Sequence, residues 1–202
     1  GFAVANNIGA RLARGQWLAL LNPDAFPEPD WLERLLEATK TYPHTFFTSR
    51  QIQANNPQYL DGEGDNYHVS GYAWRNNYGQ PVDTDNQLKN VFSACGAAAL
   101  YPRKEFLDAG GFDEDYFSYH EDVDLGFRLR LRGLNCVLVP QAIVHHVGSA
   151  STGKKSDFSI YYGHRNLVWT YFKDMPSTLF WLYLPLHIAV NLFFLVYFAL
   201  KG

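Results

Sequence analysis

"QWLALLNPDAFPEPDWLERLLEATK", residues 16–40, is the stretch on which the fold turns. Residues 16–21 form a short apolar run, the pattern of a buried strand. Pro23, Pro27 and Pro29 then forbid continuation, because proline fixes φ and has no amide hydrogen to give a ladder. From Asp30 the apolar positions recur at helical spacing, and Glu33 stands three residues on, as in a capping box. A strand, an irregular turn and an amphipathic helix follow one another within one short segment.

The same alternation extends in both directions. Residues 4–14 carry apolar positions at helical spacing and stop at Gly15, and residues 45–53 read as a second strand. "CGAAALYP" is strand-like, and "PRKEFLDAGG" has proline at a helix start and paired glycines at its end. Residues 55–90, rich in Asn, Asp, Gly and Gln, read as loops with a short hairpin around 69–74. Strands alternating with helices predict an α/β domain with a mostly parallel sheet and flanking helices.

"YFSYHEDVDLGFRLRLRG", residues 116–133, fits two periods. Val123, Leu125, Phe127, Leu129 and Leu131 alternate as in a strand. Yet acids lead and arginines follow, matching the two ends of a helix dipole, and Asp124 and Arg128 stand one turn apart. We read it as a helix buried on two sides and ending at Gly133. A helix N-terminus tolerates clustered carboxylates, but that does not explain why there are three, Glu121, Asp122 and Asp124.

The whole chain has 202 residues, a formal net charge of −3 and no Lys/Arg block, so nothing in it suits nucleic acid. Its 2 cysteines make neither a disulfide framework nor a metal-ligand spacing. The opening lacks both an initiator Met and a signal-peptide pattern and reads as though it begins partway into a larger domain. At the other end, residues 179–200 carry no charge and could span a bilayer, re-enter it, lie in its plane or form a core helix. Tyr183, His187 and Asn191 make a polar stripe along one helical face there. Trp169, Tyr171, Lys173 and Trp181 suit a membrane interface. We therefore expect a domain over 1–173 and a hydrophobic membrane-associated segment over 174–202.

Three polar groups stand out in chain order. Asp24 lies just past a strand's C-terminal end, where open α/β sheets bind ligands. Glu121 and Asp122 follow near a helix start, and "AIVHHVGSAS" places His145 and His146 after a strand. Oxygen ligands, an imidazole and a free carboxylate could together hold a divalent cation and leave one base unligated.

The segments "GFAVANNIGARLARGQWLALLNPDAFPEPDWLERL", "CGAAALYPRKEFLDAGGFDEDYFSYHEDVDLGFRLRLRG", "PQAIVHHVGSAS" and "YYGHRNLVW" resemble, in order and spacing, the family 2 glycosyltransferases of the GT-A fold. The branch they are most similar to is the rhamnosyltransferase-like one that builds bacterial surface polysaccharides. The resemblance implies a Rossmann-like sheet and an inverting, metal-dependent transfer from a nucleotide-sugar donor to a glycan or lipid-linked acceptor. It implies Mg2+ or Mn2+ held by Asp24 and His146, with His145 as the alternative ligand. Asp122 would be the general base, while Glu121 and Asp124 seat the helix start and acceptor. Asn22 stands where the family's metal-binding element has its first acid, leaving ribose or metal contact there open.

The branch further implies deoxythymidine-diphosphate rhamnose as donor and the cytoplasmic face of a bacterial membrane as the place of work. Phe117 and Tyr119 could wall the sugar's methyl group. Lys154, Lys155, Tyr161 and Arg165 fall where the family has a mobile loop and following helix, and could clamp the donor's diphosphate. The family's first nucleotide-binding strands should precede Gly1, so the chain reads as N-terminally truncated. The processive synthases' Gln-x-x-Arg-Trp motif is replaced by "GHRNLVW", favouring transfer of a single sugar. Two other readings keep the fold: a non-catalytic binding or assembly module, and a metal-dependent hydrolase using Asp24 and His146.

Overall fold

A computed structural model of the chain describes residues 1–148 and 156–201. The first helix, α1 (Phe2–Leu12), leads into strand β1 (Trp17–Leu21), the short β2 (Ala25–Pro27) and helix α2 (Trp31–Thr41). Helix α2 buries Trp31, Leu35 and Ala38, a stripe at helical spacing. The expected capping box is not made. Asp30 occupies the N-cap without a side-chain cap bond, because its carboxylate pairs with Arg34 Nε at 2.9 Å one turn on.

Strand β3 (Thr45–Gln53) follows where the sequence predicts it and is buried along nearly its whole length. Four short strands follow: β4 (Leu60–Gly62), which pairs with the C-terminal end of β3, β5 (Asp65–Tyr67), β6 (Ala73–Arg75) and β7 (Lys89–Val91), which pairs with the N-terminal half of β9. Strands β5 and β6 form a separate hairpin, as expected near 69–74. Next come β8 (Ala98–Pro102), α3 (Arg103–Asp108), a 3-10 turn at Glu114–Tyr116, α4 (Glu121–Leu131) and the long β9 (Asn135–His146). Two helices close the chain, α5 (Asp157–Asp174) and α6 (Ser177–Lys201).

The main path of the sheet runs β1-β8-β3-β9-β2. The expectation of a mostly parallel sheet needs correction: among the described pairings only β3–β9 is parallel, while β8 is antiparallel to both β1 and β3. The reason is topological. Residues 54–97 leave and re-enter at the same end of the sheet, so β8 must run back between β1 and β3. The remaining long strands, β1, β3 and β9, all point one way, which is the part of the alternation legible in the sequence.

Side chains alternate across these strands, so neighbours serve opposite layers. Phe46, Ala99, Tyr101, Cys136 and Leu138 join α1, α3 and α4 in one core. Phe47, Ala98, Leu100, Val137 and Val139 join α2 in the other. Both cysteines are buried free thiols. The helical reading of residues 121–131 holds, and the strand-like alternation has a cause: Val123, Leu125, Phe127 and Leu129 are all buried because α4 is covered on two sides.

Helix α6 is long and apolar enough to cross a membrane: within Ser177–Leu200 an 18-residue stretch has a mean hydropathy of 2.0, with 6% of that stretch buried. It is therefore not a core helix of the domain described. Its polar stripe faces protein, as expected, with His187 buried. Of the four residues assigned to a membrane interface, Tyr171 is interior instead, and the exposed Lys173 is engaged in ion pairs. Tyr171 is fully buried against His187, with ring centroids 3.9 Å apart, and Lys173 is bound to Asp113 and Asp124.

Candidate active site

The C-terminal ends of β1 and β9 lie at the same end of the sheet, with β8 and β3 between the two strands. Asn22 is pinned by its amide to Ala97 O at 2.9 Å and accepts from the Ala25 amide at 3.0 Å. The intervening turn lifts Asp24, whose backbone oxygen accepts from the Val147 amide at 3.0 Å. Across from it, β2 and β9 align Ala25 with His146 and Phe26 with His145. The paired histidines are thus the last residues of a strand rather than a loop after it, and consecutive strand residues face opposite ways.

That alternation separates them. His146 Nε2 lies 3.4 Å from Asp24 Oδ1, and its Nδ1 lies 2.7 Å from Asp61 Oδ2. A carboxylate only accepts, so Nδ1 donates to Asp61 and the ring is turned with Nε2 toward Asp24. An imidazole oriented by a carboxylate on its far nitrogen is the usual surrounding of a metal-binding histidine. His145 instead meets Glu28 Oε1 at 2.8 Å on the exposed side and is no part of this cluster.

Asp61 extends the chain of contacts inward. Arg75 Nη1 donates to Asp61 Oδ2 at 3.1 Å, and Arg75 Nε lies 3.9 Å from Asp65 Oδ1. The Arg75 stem lies over Gly62, where a Cβ would come within 2.3 Å of it and φ is +151°, so this position requires glycine. Asp65 Oδ2 is buried without a partner. Burial first, and then the charge of Asp122, push its carboxyl up to about 8.

The three acids of α4 have three different surroundings, which answers why there are three. Asp122 Oδ2 accepts from the Gly96 amide at 2.9 Å and Oδ1 from the Val123 amide at 2.9 Å. Glu121 Oε2 is buried and unpartnered, and burial followed by the Asp122 charge pushes this carboxyl up to about 8 as well. Asp124 is fully buried, bonded to Arg128 and to Lys173 Nζ, and fastens α4 to α5. It faces its own cations rather than the cluster.

The approach to α4 is strained. Phe117, Tyr119 and His120 all have positive φ, between 64° and 67°, without being glycine. Asn166 holds them there, its Nδ2 donating to the carbonyls of Tyr116, Ser118 and Tyr119. Arg165, expected on a diphosphate, is engaged elsewhere: its Nη2 donates to Asp115 O and Tyr116 O, and its guanidinium lies 4.0 Å from the Trp169 ring centroid. These carbonyls take two of its five donors and Asn166 Oδ1 takes a third, Nε, at 2.9 Å. Lys154 and Lys155 lie outside the described residues.

Among the described residues no three His, Cys, Asp or Glu side chains could hold a metal by themselves. Asp24 and His146 nevertheless supply a hard oxygen and an oriented nitrogen side by side, a pair that fits a divalent cation completing its shell with ligand oxygens. Sequence reasoning missed Asp61, Asp65 and Arg75 because they lie in the stretch read as loops. The available signal was "DGEGD", residues 61–65, acids separated by glycines that let the backbone close in around them.

The sequence model described as "Glycosyl transferase family 2" matches residues 1–108. An N-acetylglucosaminyl-diphospho-decaprenol L-rhamnosyltransferase of Mycobacterium tuberculosis is 32% identical over 157 residues, 68% of this chain and 49% of the relative. The O-antigen biosynthesis protein RfbC of Myxococcus xanthus is 30% identical over 165 residues, covering 74% of this chain and 12% of that protein. The chain thus spans about half the length, or less, of these curated relatives. Among solved structures, GalNAc-T7 with UDP, GalNAc and Mn2+ gives a TM-score of 0.64 at 17% identity, covering 84% of this chain and 34% of that one. The mannosyltransferase PcManGT of Pyrobaculum calidifontis with GDP-Man and Mn2+ gives 0.54 at 15% identity, with 86% and 43% covered. These likenesses bear out the GT-A fold.

Proposed function

We propose that this chain, which belongs to glycosyl transferase family 2, carries the catalytic machinery of an inverting, metal-dependent glycosyltransferase. The observation that carries the proposal is the meeting of Asp24 with His146 Nε2 at 3.4 Å, with the imidazole turned by Asp61. Asp24 and His146 would hold Mg2+ or Mn2+, which offsets the negative charge developing on a departing diphosphate. The Mn2+ in both similar solved structures supports that choice.

Asp122 is the base. Its carboxylate accepts from two backbone amides, so each oxygen keeps lone pairs for an acceptor hydroxyl. As that hydroxyl attacks the sugar's anomeric carbon and the bond to diphosphate breaks, its proton passes to Asp122. Attack from the face opposite the leaving group inverts the configuration. Glu121, protonated near neutrality, can donate a hydrogen bond to the sugar or acceptor without repelling Asp122.

The donor we propose is deoxythymidine-diphosphate rhamnose, and the acceptor a lipid-linked glycan hydroxyl at the membrane's cytoplasmic face. The name of the Mycobacterium relative and the exposed apolar α6 support this. Phe117, half exposed beside Phe158 and Tyr162, offers an apolar wall for a methyl group. By this reading residues 1–173 form the transferase domain and 174–202 the membrane segment. A donor screen with the full-length enzyme tests it. Turnover should be highest with the deoxythymidine-diphosphate rhamnose donor, and preference for a uridine- or guanosine-diphosphate hexose would reject that assignment.

A further inference from the structure

The β5–β6 hairpin has two working faces. At its base, Asp65 and Arg75 enter the acid network. On its other face, Tyr72 and Trp74 stack at 5.8 Å and, with Leu186, Val190, Phe193 and Phe194 of α6, line a groove of about 680 Å3. The groove is fixed in place. His187 Nδ1 donates to Ser70 O at 2.7 Å, and Gly71, at φ +89°, lets the turn approach so closely that a Cβ would lie 2.6 Å from that nitrogen.

We infer that this groove binds the isoprenoid chain of a lipid-linked acceptor. Among the described residues no charged side chain lines it, and of its two other lining residues His68 Nδ1 lies 3.0 Å from Ser70 Oγ. A saccharide there would lose its hydration against aliphatic and aromatic walls, whereas a hydrocarbon chain gains from burial. One wall is α6 itself, whose outer residues Leu182, Leu192, Leu195 and Val196 are exposed and apolar, so a chain can pass from bilayer to groove without crossing water. The hairpin sets the reach: at about 3.3 Å per residue its strands carry the groove to within roughly 10 Å of the acid network along the strand direction. A tail held on one face leaves its head group at the edge that leads to Asp122.

The inference rests on the lipid-linked acceptor proposed above, and the test keeps the two apart. The full chain is placed in nanodiscs with a polyisoprenyl diphosphate bearing a diazirine on its chain, and labelled residues are mapped after illumination. Label should fall on Tyr72, Trp74 and Phe193. Excess unlabelled polyisoprenyl diphosphate, but not phospholipid, should remove it. Val190→Trp should cut labelling about tenfold, the loss expected when roughly two methylene groups go unburied, while a diazirine phospholipid still labels Leu182 and Leu195. Label confined to that outer face, indifference to the unlabelled competitor, or cross-linking between two copies at Phe193 would overturn the groove assignment. Groove labelling without transfer to a lipid-linked sugar would instead uphold the groove and reject the acceptor. Transfer without groove labelling would reject the groove alone.

Discussion

Two regions of this molecule bury carboxylates, and they treat them differently. In the seam between α4 and α5, Asp124 is matched by Arg128 and Lys173, and Lys173 also reaches Asp113. Asp174 beside them is pushed up to about 8, by burial and then by Asp124, so it sits there neutral. At the strand ends the acids outnumber the cations. Among the described residues, Arg75 is the cation paired with Asp61 and Asp65, and Asp65 Oδ2 and Glu121 Oε2 have no hydrogen-bond partner. The seam matches Asp124 with cations to hold two helices together, and among the described residues it leaves one buried carboxyl oxygen, Asp174 Oδ2, without a hydrogen-bond partner. The strand-end cluster leaves two such oxygens and has fewer cations to offset its acids, the setting of a ligand site.

The largest expected effect separates a carboxylate that reacts from one that only braces. Asp122→Asn should lower turnover by roughly 100- to 10,000-fold, the usual contribution of a general base, with donor affinity unchanged. Single-turnover kinetics showing a loss under about tenfold would move Asp122 out of that role.

Asp124→Asn should act through stability instead. It leaves Arg128 and Lys173 facing a neutral amide in a buried seam, a loss of about 3 kcal/mol, read as a lower denaturation midpoint. A variant as stable as the wild type but catalytically dead would place Asp124 in the chemistry and erase the contrast between the regions.

The third effect is a change of slope. The Glu121 carboxyl is raised in the fold to about 8 from an ordinary value near 4.5, so the folded state binds the proton more tightly than the unfolded chain. Stability should therefore fall as pH rises between those values. Glu121→Gln removes this dependence, so the variant should gain on the wild type from pH 5 toward pH 8 in thermal melts. Parallel melting curves would show Glu121 to be solvated after all.

The comparison also shows what a sequence can and cannot disclose. The long strands and helices were legible because periodicity is local: 45–53 appears in the structure with those bounds, and α4 survived a misleading alternation. Strand direction was not legible, since β8 is reversed by where a loop excursion re-enters, and no local pattern encodes that. Asp24, Asp122 and His146 stood at element ends, where side chains face ligands. Asp61 and Arg75 are recruited across long loops by β3–β4 pairing and the hairpin, so their role exists only in three dimensions. Arg165 shows the converse, a residue in the expected place that also braces the turn before α4 through Nη2.

The central claim is that the strand-end cluster holds a metal–diphosphate through His146 and not through its neighbour. Calorimetric titration of the full-length protein with a nucleoside diphosphate, with and without Mn2+, tests this directly. Wild type should bind only with the metal, His146→Ala should lose that binding, Asp61→Asn should weaken it about 10- to 100-fold, and His145→Ala should leave it intact. Metal-independent binding, or loss with His145→Ala while His146→Ala binds normally, would contradict the account.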